Sequence, residues 1–261
     1  MEGAFIGDIV GSKYEWRNFK HKDFPLFSEG CRATDDSLMT LAVARAFAAA
    51  KAQGKLLERH TVLPLLAKEM RLLGQKYPDA GFGGKFRYWL FHPEVGAYGS
   101  FGNGAAMRVS PAGWYGRTLA EARQLAILSC EVSHNHPESY RAAQAVAGAI
   151  FLARQHKTKD EIREYLKPFY NLDFTVEGIR DTYKGDATCQ NSVPQGLVCF
   201  LDSISFEDAL RNAISLGGDS DTLAAIAGSI AEPFYGIPEE IRQEARKYYL
   251  PEMVEAVATN H

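Results

Sequence analysis

Apolar residues recur at helical spacing along most of the chain. Between Ser37 and Lys51, leucine, phenylalanine and alanine mark one face of a helix, and alanine fills most of the other positions. Because alanine has the highest helix propensity and a small side chain, this segment is predicted to be a long helix that its neighbours approach closely. The same spacing predicts seven further helices, at about 61–76, 118–130, 137–156, 192–202, 206–215, 222–232 and 238–248.

Strands are not predicted, because no alternation of apolar and polar residues over six positions recurs. Two stretches also lack helical spacing. Tyr77–Ser100 has five glycines among aromatic residues and is expected to be a long ordered loop with one short helix, and Lys184–Pro194 is a second irregular stretch. Neither has the composition of a linker, and no repeat of 20–50 residues is present. The pattern predicts an all-α protein with one compact domain over residues 1–261.

Composition and charge exclude several classes of protein. Hydrophobic residues make up 46% of the chain and charged residues 23%, which is typical of a globular protein and not of a disordered one. The net charge of −3 gives no electrostatic reason to bind nucleic acid or an anionic membrane. No apolar run is long enough to span a bilayer, and the first residues lack the basic start of a secretory signal. The four cysteines form no Cys-x-x-Cys pair, so we expect reduced thiols and a cytoplasmic protein.

Two acidic segments stand directly before alanine-rich helices. They are TDD at residues 34–36 and GGDSDT at residues 217–222. One interpretation is that both are simple helix starts, with Thr34 as an N-cap and the acids near the positive end of the helix dipole. Capping alone does not explain why both Asp219 and Asp221 stand at the start of one helix, because one side chain is enough to cap it. The glycines before them also allow the backbone to approach another group closely.

A metal site is the second interpretation of these segments. If the two helix starts converge, four carboxylates would lie within a few ångströms and could not all stay ionised without a counter-charge. Oxygen ligands suit Mg²⁺ or Mn²⁺, and the lack of neighbouring cysteine or histidine disfavours zinc. Convergence is the hypothesis on which this interpretation depends.

Four segments, in order along nearly the whole chain, resemble the ADP-ribosylglycohydrolase family. They are GAFIGDIVGSKYEW (3–16), TDDSLMTLAVA (34–44), SFGNGAAMRVSP with SHNHPES (100–111 and 133–139) and SLGGDSDTLAAIAG (215–228). The combination of TDD with GGDSDT is the specific part of this resemblance. It implies a compact orthogonal bundle of α-helices that hydrolyses the glycosidic bond between ADP-ribose and an acceptor.

The resemblance also implies two Mg²⁺ or Mn²⁺ ions that hold the distal ribose of ADP-ribose. The implied metal ligands are Thr34, Asp35, Asp36, Asp219, Asp221 and Thr222. We predict that Glu15, Asp35 and Asp219 are catalytic. Glu15 could be only a solvated surface acid, but the resemblance places it on a flap beside the metals. A carboxylate there can act as acid or base when a ribosyl bond breaks through an oxocarbenium-like state.

Substrate contacts are expected from two further segments. The turn at Gly102, Asn103 and Gly104 could present backbone N–H groups to a diphosphate, or could be a plain Asn-Gly turn. The resemblance favours the diphosphate contact and places His134 near the ligand. Arg108 has a structural ion pair as its alternative role. We expect Asp8 to be a buried structural acid, His136 to cap or pack, and the aromatic residues at 82–89 either to stack on adenine or to fill the core.

The predicted function is a metal-dependent hydrolase that releases ADP-ribose from a modified side chain, of arginine or serine type. The chain has no phosphate-binding P-loop, His-Glu-x-x-His motif or Gly-x-Ser-x-Gly elbow. Two alternatives stay open, an ADP-ribose-binding module without turnover and a hydrolase of a free small ADP-ribosyl compound. We expect a monomer whose partners are ADP-ribose and the ADP-ribosylated substrate.

Overall fold

The computed structural model describes residues 1–258, so the last three residues of the predicted domain 1–261 lie outside it. Within residues 1–258 the chain forms fifteen α-helices and a 3₁₀ turn, Arg246–Tyr248, with no β-strand. The helices are α1 Glu2–Ser12, α2 Asp35–Ala52, α3 Arg59–Lys76, α4 Gly84–Phe91, α5 Gly104–Met107, α6 Ser110–Tyr115, α7 Leu119–Glu131, α8 Pro137–Arg154, α9 Lys159–Leu166, α10 Val176–Ile179, α11 Cys189–Leu201, α12 Phe206–Leu216, α13 Ser220–Tyr235, α14 Glu239–Ala245 and α15 Pro251–Ala258. The all-α prediction is confirmed.

Helix α13 lies at the centre of the fold. Every residue from Ser220 to Ala231 is buried, and α13 packs against α1, α8, α11 and α12. A helix whose whole circumference is small or apolar is stable only when neighbours cover it on all sides. The eight helical runs predicted from spacing all correspond to helices. Like α13, helices α2 and α8 are rich in small residues and are largely buried.

Helix α1 is not among the predicted helices. Gly3, Gly7 and Gly11 recur every four residues and therefore lie on one face of α1, which packs against α13. A Cβ atom at Gly7 would lie 2.1 Å from the carbonyl oxygen of Ala224, and one at Gly11 would lie 2.4 Å from the Cα of Asp221. These glycines weaken the helix intrinsically by up to about 1 kcal/mol each, but they permit a close backbone approach that places α1 beside the start of α13.

The two irregular stretches differ in outcome. Tyr77–Ser100 contains α4 as its single short helix, as predicted. The prediction for Lys184–Pro194 is partly wrong, because α11 begins at Cys189 and includes Pro194. Proline removes one helix hydrogen bond, but burial of this part of α11 against α13 outweighs that loss.

Nearly all buried apolar side chains, from Phe5 near the beginning of the chain to Met253 in α15, belong to one contiguous cluster. This is the arrangement expected of a single domain, and the extent 1–261 stays a prediction. No helix in the described part of the chain has the length and apolar character needed to cross a bilayer.

Candidate active site

The predicted site residues converge on one cavity of about 430 Å³. Its lining includes every predicted catalytic, substrate-binding and metal-ligating residue except Thr34: Glu15, Asp35, Asp36, Gly102, Asn103, Gly104, His134, Asp219, Asp221 and Thr222. A larger cavity, about 580 Å³, lies beside Trp114 and Arg154 and is lined by none of the predicted residues. The concentration of candidate chemistry therefore identifies the smaller cavity as the candidate active site.

The starts of α2 and α13 meet at one end of this cavity. The hydroxyl of Thr222 donates a hydrogen bond to Oδ2 of Asp36 over 2.9 Å. Carboxylate oxygens of Glu15, Asp219 and Asp221 all lie within 4.8 Å of one another. The convergence hypothesised from the two acidic segments is thus present, and Glu15 on the chain after α1 joins it.

The carboxylates of Glu15, Asp35, Asp36, Asp219 and Asp221 form an acidic end of the cavity, and the protein alone does not compensate their negative charge. Burial, followed by the charges of Asp8 and Asp219, raises the pKa of Asp35 to about 8. Burial and neighbouring carboxylates hold the pKa values of Asp36 and Asp221 well above the ordinary range. The pKa values of Asp219 and Glu15 are also raised, with burial as the largest cause. Such a cluster must bind protons or cations to remain folded.

Asp8 supports the acidic end from behind. It is fully buried on α1 and accepts hydrogen bonds from the N–H and hydroxyl groups of both Thr34 and Ser37, including 2.9 Å from Thr34 N and 2.6 Å from Thr34 Oγ1. These contacts fix α1 to the first turn of α2, and the expected structural role of Asp8 is confirmed. Thr34 caps α2 by accepting from Asp36 N over 3.3 Å, and it lies outside the cavity lining.

Arg108 and His134 line the same cavity, and no carboxylate is among the groups whose charge acts on either of them. Lys85 also lines this cavity. Arg108 is fully buried and makes no ion pair within residues 1–258, so its alternative role as an ion-pair partner is wrong. Its Nη2 donates to Ser129 O over 3.0 Å and to Ser133 Oγ over 2.9 Å. Burial and the charge of Arg108 keep the pKa of His134 well below its usual value, so His134 is neutral. The cavity therefore has an acidic end and a cationic, hydrogen-bonding end.

The turn at residues 102–104 lies between these ends, but its contacts differ from those expected. Gly102 N donates to Ser100 Oγ over 3.2 Å, and Asn103 N donates to Ala187 O over 2.9 Å. Two of the amides expected to face a diphosphate are therefore already hydrogen-bonded within the protein. The Asn103 side chain instead donates to Asp219 Oδ2 over 2.7 Å, which joins the turn to the acidic end.

Comparison with known proteins agrees with this arrangement. The family model described as ADP-ribosylglycohydrolase matches residues 1–261. The chain belongs to the ADP-ribosylglycohydrolase family. It is 26% identical to human ADP-ribosylhydrolase ARH3 over 332 residues, covering 95% of this chain and 88% of the relative. It is 25% identical to ADP-ribosylarginine hydrolase Tri1 of Pseudomonas putida, covering 97% of this chain and 75% of the relative.

Two further matches extend the comparison. A dinitrogen reductase ADP-ribosyl glycohydrolase of Rhodospirillum rubrum is 28% identical and covers 54% of this chain and 48% of the relative. A solved structure described as an ADP-ribosylglycohydrolase-related protein complex has a TM-score of 0.55 at 20% identity and covers 94% of each chain, which shows the fold. Membership of the ADP-ribosylglycohydrolase family supports hydrolysis of ADP-ribose linkages as the activity of this chain.

The resemblance to ADP-ribosylglycohydrolases left other cavity residues unassigned. Trp16 lines the cavity with an exposed side chain and has a φ of 55°, and its backbone N–H donates to Gly218 O over 2.7 Å. Tyr98 lines the wall near His134, and burial raises its pKa to about 12. Trp16 ends the GAFIGDIVGSKYEW segment, but the resemblance gave it no role, and Tyr98 lies outside all four segments. Tertiary contacts bring both residues to the cavity.

The remaining sequence candidates have structural roles. His136 is the N-cap of α8, and its Nδ1 accepts from Glu138 N over 3.1 Å, which confirms the capping role. Phe86 lines the cavity, whereas Trp89 is buried and stacks against Phe86. Tyr88 is exposed and stacks on His92 instead. Core packing therefore explains most of this aromatic segment.

Proposed function

We propose that this protein is a metal-dependent hydrolase that cleaves the glycosidic bond between ADP-ribose and a modified protein side chain. The observation that carries the proposal is the division of one cavity into an acidic end and a cationic end. ADP-ribose has the same division, since ribose hydroxyls lie at its reactive end and a diphosphate lies behind them. Oxygen ligands at one end of the cavity, and a guanidinium with hydrogen-bond donors at the other, match the two ends of this ligand.

The acidic end fits hard divalent cations. Its donors are oxygens only, they are largely buried, and their raised pKa values reflect a need for positive charge. We assign two Mg²⁺ or Mn²⁺ ions to Thr34, Asp35, Asp36, Asp219, Asp221 and Thr222. The hydroxyl of Thr34 donates its proton to Asp8, and its oxygen keeps a lone pair for a metal. When bound, these ions would supply Lewis-acid orientation of the distal ribose hydroxyls.

Glu15 is the proposed acid or base. It is only partly buried, it lies within 4.8 Å of Asp219 and Asp221, and its pKa is raised by burial and by the charge of Asp219. A raised pKa allows a carboxyl group to hold a proton for the departing acceptor and then to accept one from the attacking water. Asp219 and Asp35 contribute to catalysis by holding the ribose end of the substrate in place.

A protein side chain is the proposed carrier of ADP-ribose, of arginine or serine type. The names of the Pseudomonas putida and Rhodospirillum rubrum relatives refer to ADP-ribosylarginine and to a modified reductase, which supports a protein substrate here. A free small ADP-ribosyl compound would present the same ADP-ribose unit to the cavity and is the second candidate. Comparing hydrolysis of arginine-linked, serine-linked and small-molecule substrates distinguishes them.

The test combines metal removal with two substitutions. Hydrolysis in Mg²⁺ or Mn²⁺ should disappear in EDTA, and Asp219→Asn should lower it by at least about 10²-fold. Glu15→Gln should lower turnover by about 10²–10⁴-fold while calorimetry still detects ADP-ribose binding. Asp173→Asn, at an exposed carboxylate outside the cavity, is the matched control.

Each part of the proposal has a contrary result. Full activity in EDTA, or in Asp219→Asn, would contradict the metal centre. Binding of ADP-ribose by the wild type without hydrolysis of any of the three substrates would identify an ADP-ribose-binding module instead.

A further inference from the structure

The guanidinium of Arg108 is the least expected charge in the molecule. It is fully buried at the cavity wall, and the titratable groups whose charge acts on it are Tyr98, Cys130 and Cys189, none of them a carboxylate. Its Nε and Nη1 atoms have no hydrogen-bond partner within the described residues. A buried cation without a counter-charge is costly and indicates that the site is built to meet negative charge from outside the chain.

A short chain of hydrogen bonds leads from this guanidinium to His134. Arg108 Nη2 donates to Ser133 Oγ over 2.9 Å, and Ser133 Oγ lies 2.8 Å from His134 Nδ1. Guanidinium groups only donate, so Ser133 Oγ must accept from Arg108. Its own proton then has one partner among residues 1–258, the Nδ1 atom of His134. The direction of the chain therefore leaves Nδ1 as an acceptor and puts the imidazole proton on Nε2.

The Nε2 atom faces the turn at residues 102–104. A Cβ atom at Gly104 would lie only 2.9 Å from Nε2, and one at Gly102 would lie 3.7 Å from it. Gly104 does not have a positive φ, so its backbone conformation does not require glycine. The missing side chain instead leaves space around Nε2. Phe86 and Tyr98 contact the ring of His134 from other directions, and Arg108 is the charged group that acts on it.

We propose that Arg108 and Ser133 are positioning residues that hold His134 as a neutral imidazole protonated on Nε2, so that it donates a hydrogen bond to an anionic phosphate oxygen of the ligand. The inference rests on the proposed function, because ADP-ribose supplies the diphosphate. The positive charge of Arg108 acts through Ser133 and through the low-dielectric wall, where electrostatic interactions are strengthened. Arg108 itself need not touch the ligand.

The tautomer can be observed directly in the intact protein. Long-range ¹H–¹⁵N correlation spectra distinguish a protonated ring nitrogen from a bare one, and His134→Gln identifies the signals among the seven histidines. Wild type should show a proton on Nε2 and none on Nδ1. Ser133→Ala should shift the population toward a proton on Nδ1, and Ser133→Thr, which keeps the hydroxyl, should restore the wild-type spectrum.

Binding and kinetics provide the second readout. A lost hydrogen bond to a charged group corresponds to about tenfold or more in affinity, so Ser133→Ala should raise the Kd for ADP-ribose by about tenfold. The KM should rise by a similar factor while kcat changes less, because the phosphate is remote from the bond that breaks. Ser133→Thr should restore affinity. Ser229→Ala is the control, since Ser229 is a buried serine that bonds its own helix at Ile226 O.

The outcomes separate this inference from the proposed function. A wild-type proton on Nδ1, or wild-type ADP-ribose affinity in Ser133→Ala, would overturn the inference while hydrolysis by the wild type would stand. A proton on Nε2 in a protein that neither binds nor hydrolyses ADP-ribose would overturn both the phosphate contact and the proposed function. Arg108→Met is a secondary variant, because loss of a fully buried side chain can prevent folding.

Discussion

Replacing Asp35 with asparagine should stabilise the metal-free protein at neutral pH. Burial and the charges of Asp8 and Asp219 raise the pKa of Asp35 to about 8, whereas an unfolded aspartate titrates near 3.9. The unfolded chain therefore releases this proton at lower pH than the folded protein does. Stability from this group is complete below about pH 4 and is lost progressively as the pH rises to about 8.

The size of the effect follows from the difference between the two pKa values. Each unit corresponds to about 1.4 kcal/mol, so about three units lost between pH 4 and pH 7 amount to on the order of 4 kcal/mol. Asp35 keeps partial exposure to cavity water, and solvent screening reduces this figure. We expect Asp35→Asn to be about 2 kcal/mol more stable than wild type at pH 7 in EDTA, or roughly 4–8 °C in Tm.

The assay is thermal unfolding of both proteins from pH 4 to 8.5, with EDTA throughout and with a parallel Mg²⁺ series. The difference between the two proteins should grow with pH in EDTA. Saturating Mg²⁺ should raise the Tm of wild type near pH 8 and have a much smaller effect on Asp35→Asn. Asp173→Asn, at an exposed carboxylate, should follow wild type in both series. A difference that does not change with pH, or a less stable Asp35→Asn at pH 8, would refute the electrostatic reasoning.

Two glycine substitutions test the geometry around the cavity. Gly104→Ala should weaken ADP-ribose binding about tenfold by covering Nε2 of His134, and it should also lower the Tm, because its Cβ would lie 2.9 Å from a buried ring. Calorimetry measures the affinity, and thermal unfolding measures the stability. Gly11→Ala should lower stability by about 1–3 kcal/mol and weaken Mg²⁺ binding as well, because its Cβ would meet the backbone of Ser220 and Asp221. Gly96→Ala, where a Cβ would meet nothing within 4 Å, is the control for both, and equal behaviour of all three variants would contradict the packing argument.

The long helices were predictable because their determinants are local. Alanine-rich periodicity identified α2, α8 and α13, and the acidic motifs marked the starts of α2 and α13. Burial of nearly all of α13 then follows from a surface too uniformly small or apolar to face water. The spacing of apolar residues does not predict that the starts of α2 and α13 converge, because this convergence depends on the hydrogen bonds by which Asp8 joins α1 to α2.

Helix α1 and the cationic end of the cavity could not be predicted in the same way. Gly3, Gly7 and Gly11 lower helix propensity, and only the proximity of α13 makes them favourable. The sequence predicts a backbone contact for Asn103, whereas its side chain donates a hydrogen bond to Asp219, which lies more than a hundred positions further along the chain. Nothing in the sequence around Arg108 indicates that its side chain is buried without a carboxylate partner. In each case the missing information is a contact between distant segments.

The charge of the acidic end supports the proposed number of metal ions. Five carboxylates line the cavity, those of Glu15, Asp35, Asp36, Asp219 and Asp221. The N-termini of α2 and α13 also meet there, and each contributes about half a positive charge through its dipole. If these five carboxylates and the buried Asp8 behind them are all ionised, about five negative charges remain, of which two divalent cations would neutralise four and one cation only two. One ion would leave the cluster partly protonated at neutral pH, whereas two would allow every acid to serve as a ligand or as a base. Proton release on titration with Mg²⁺, measured at pH 7, should therefore continue beyond the first equivalent, and release that ends at one equivalent would favour a single ion.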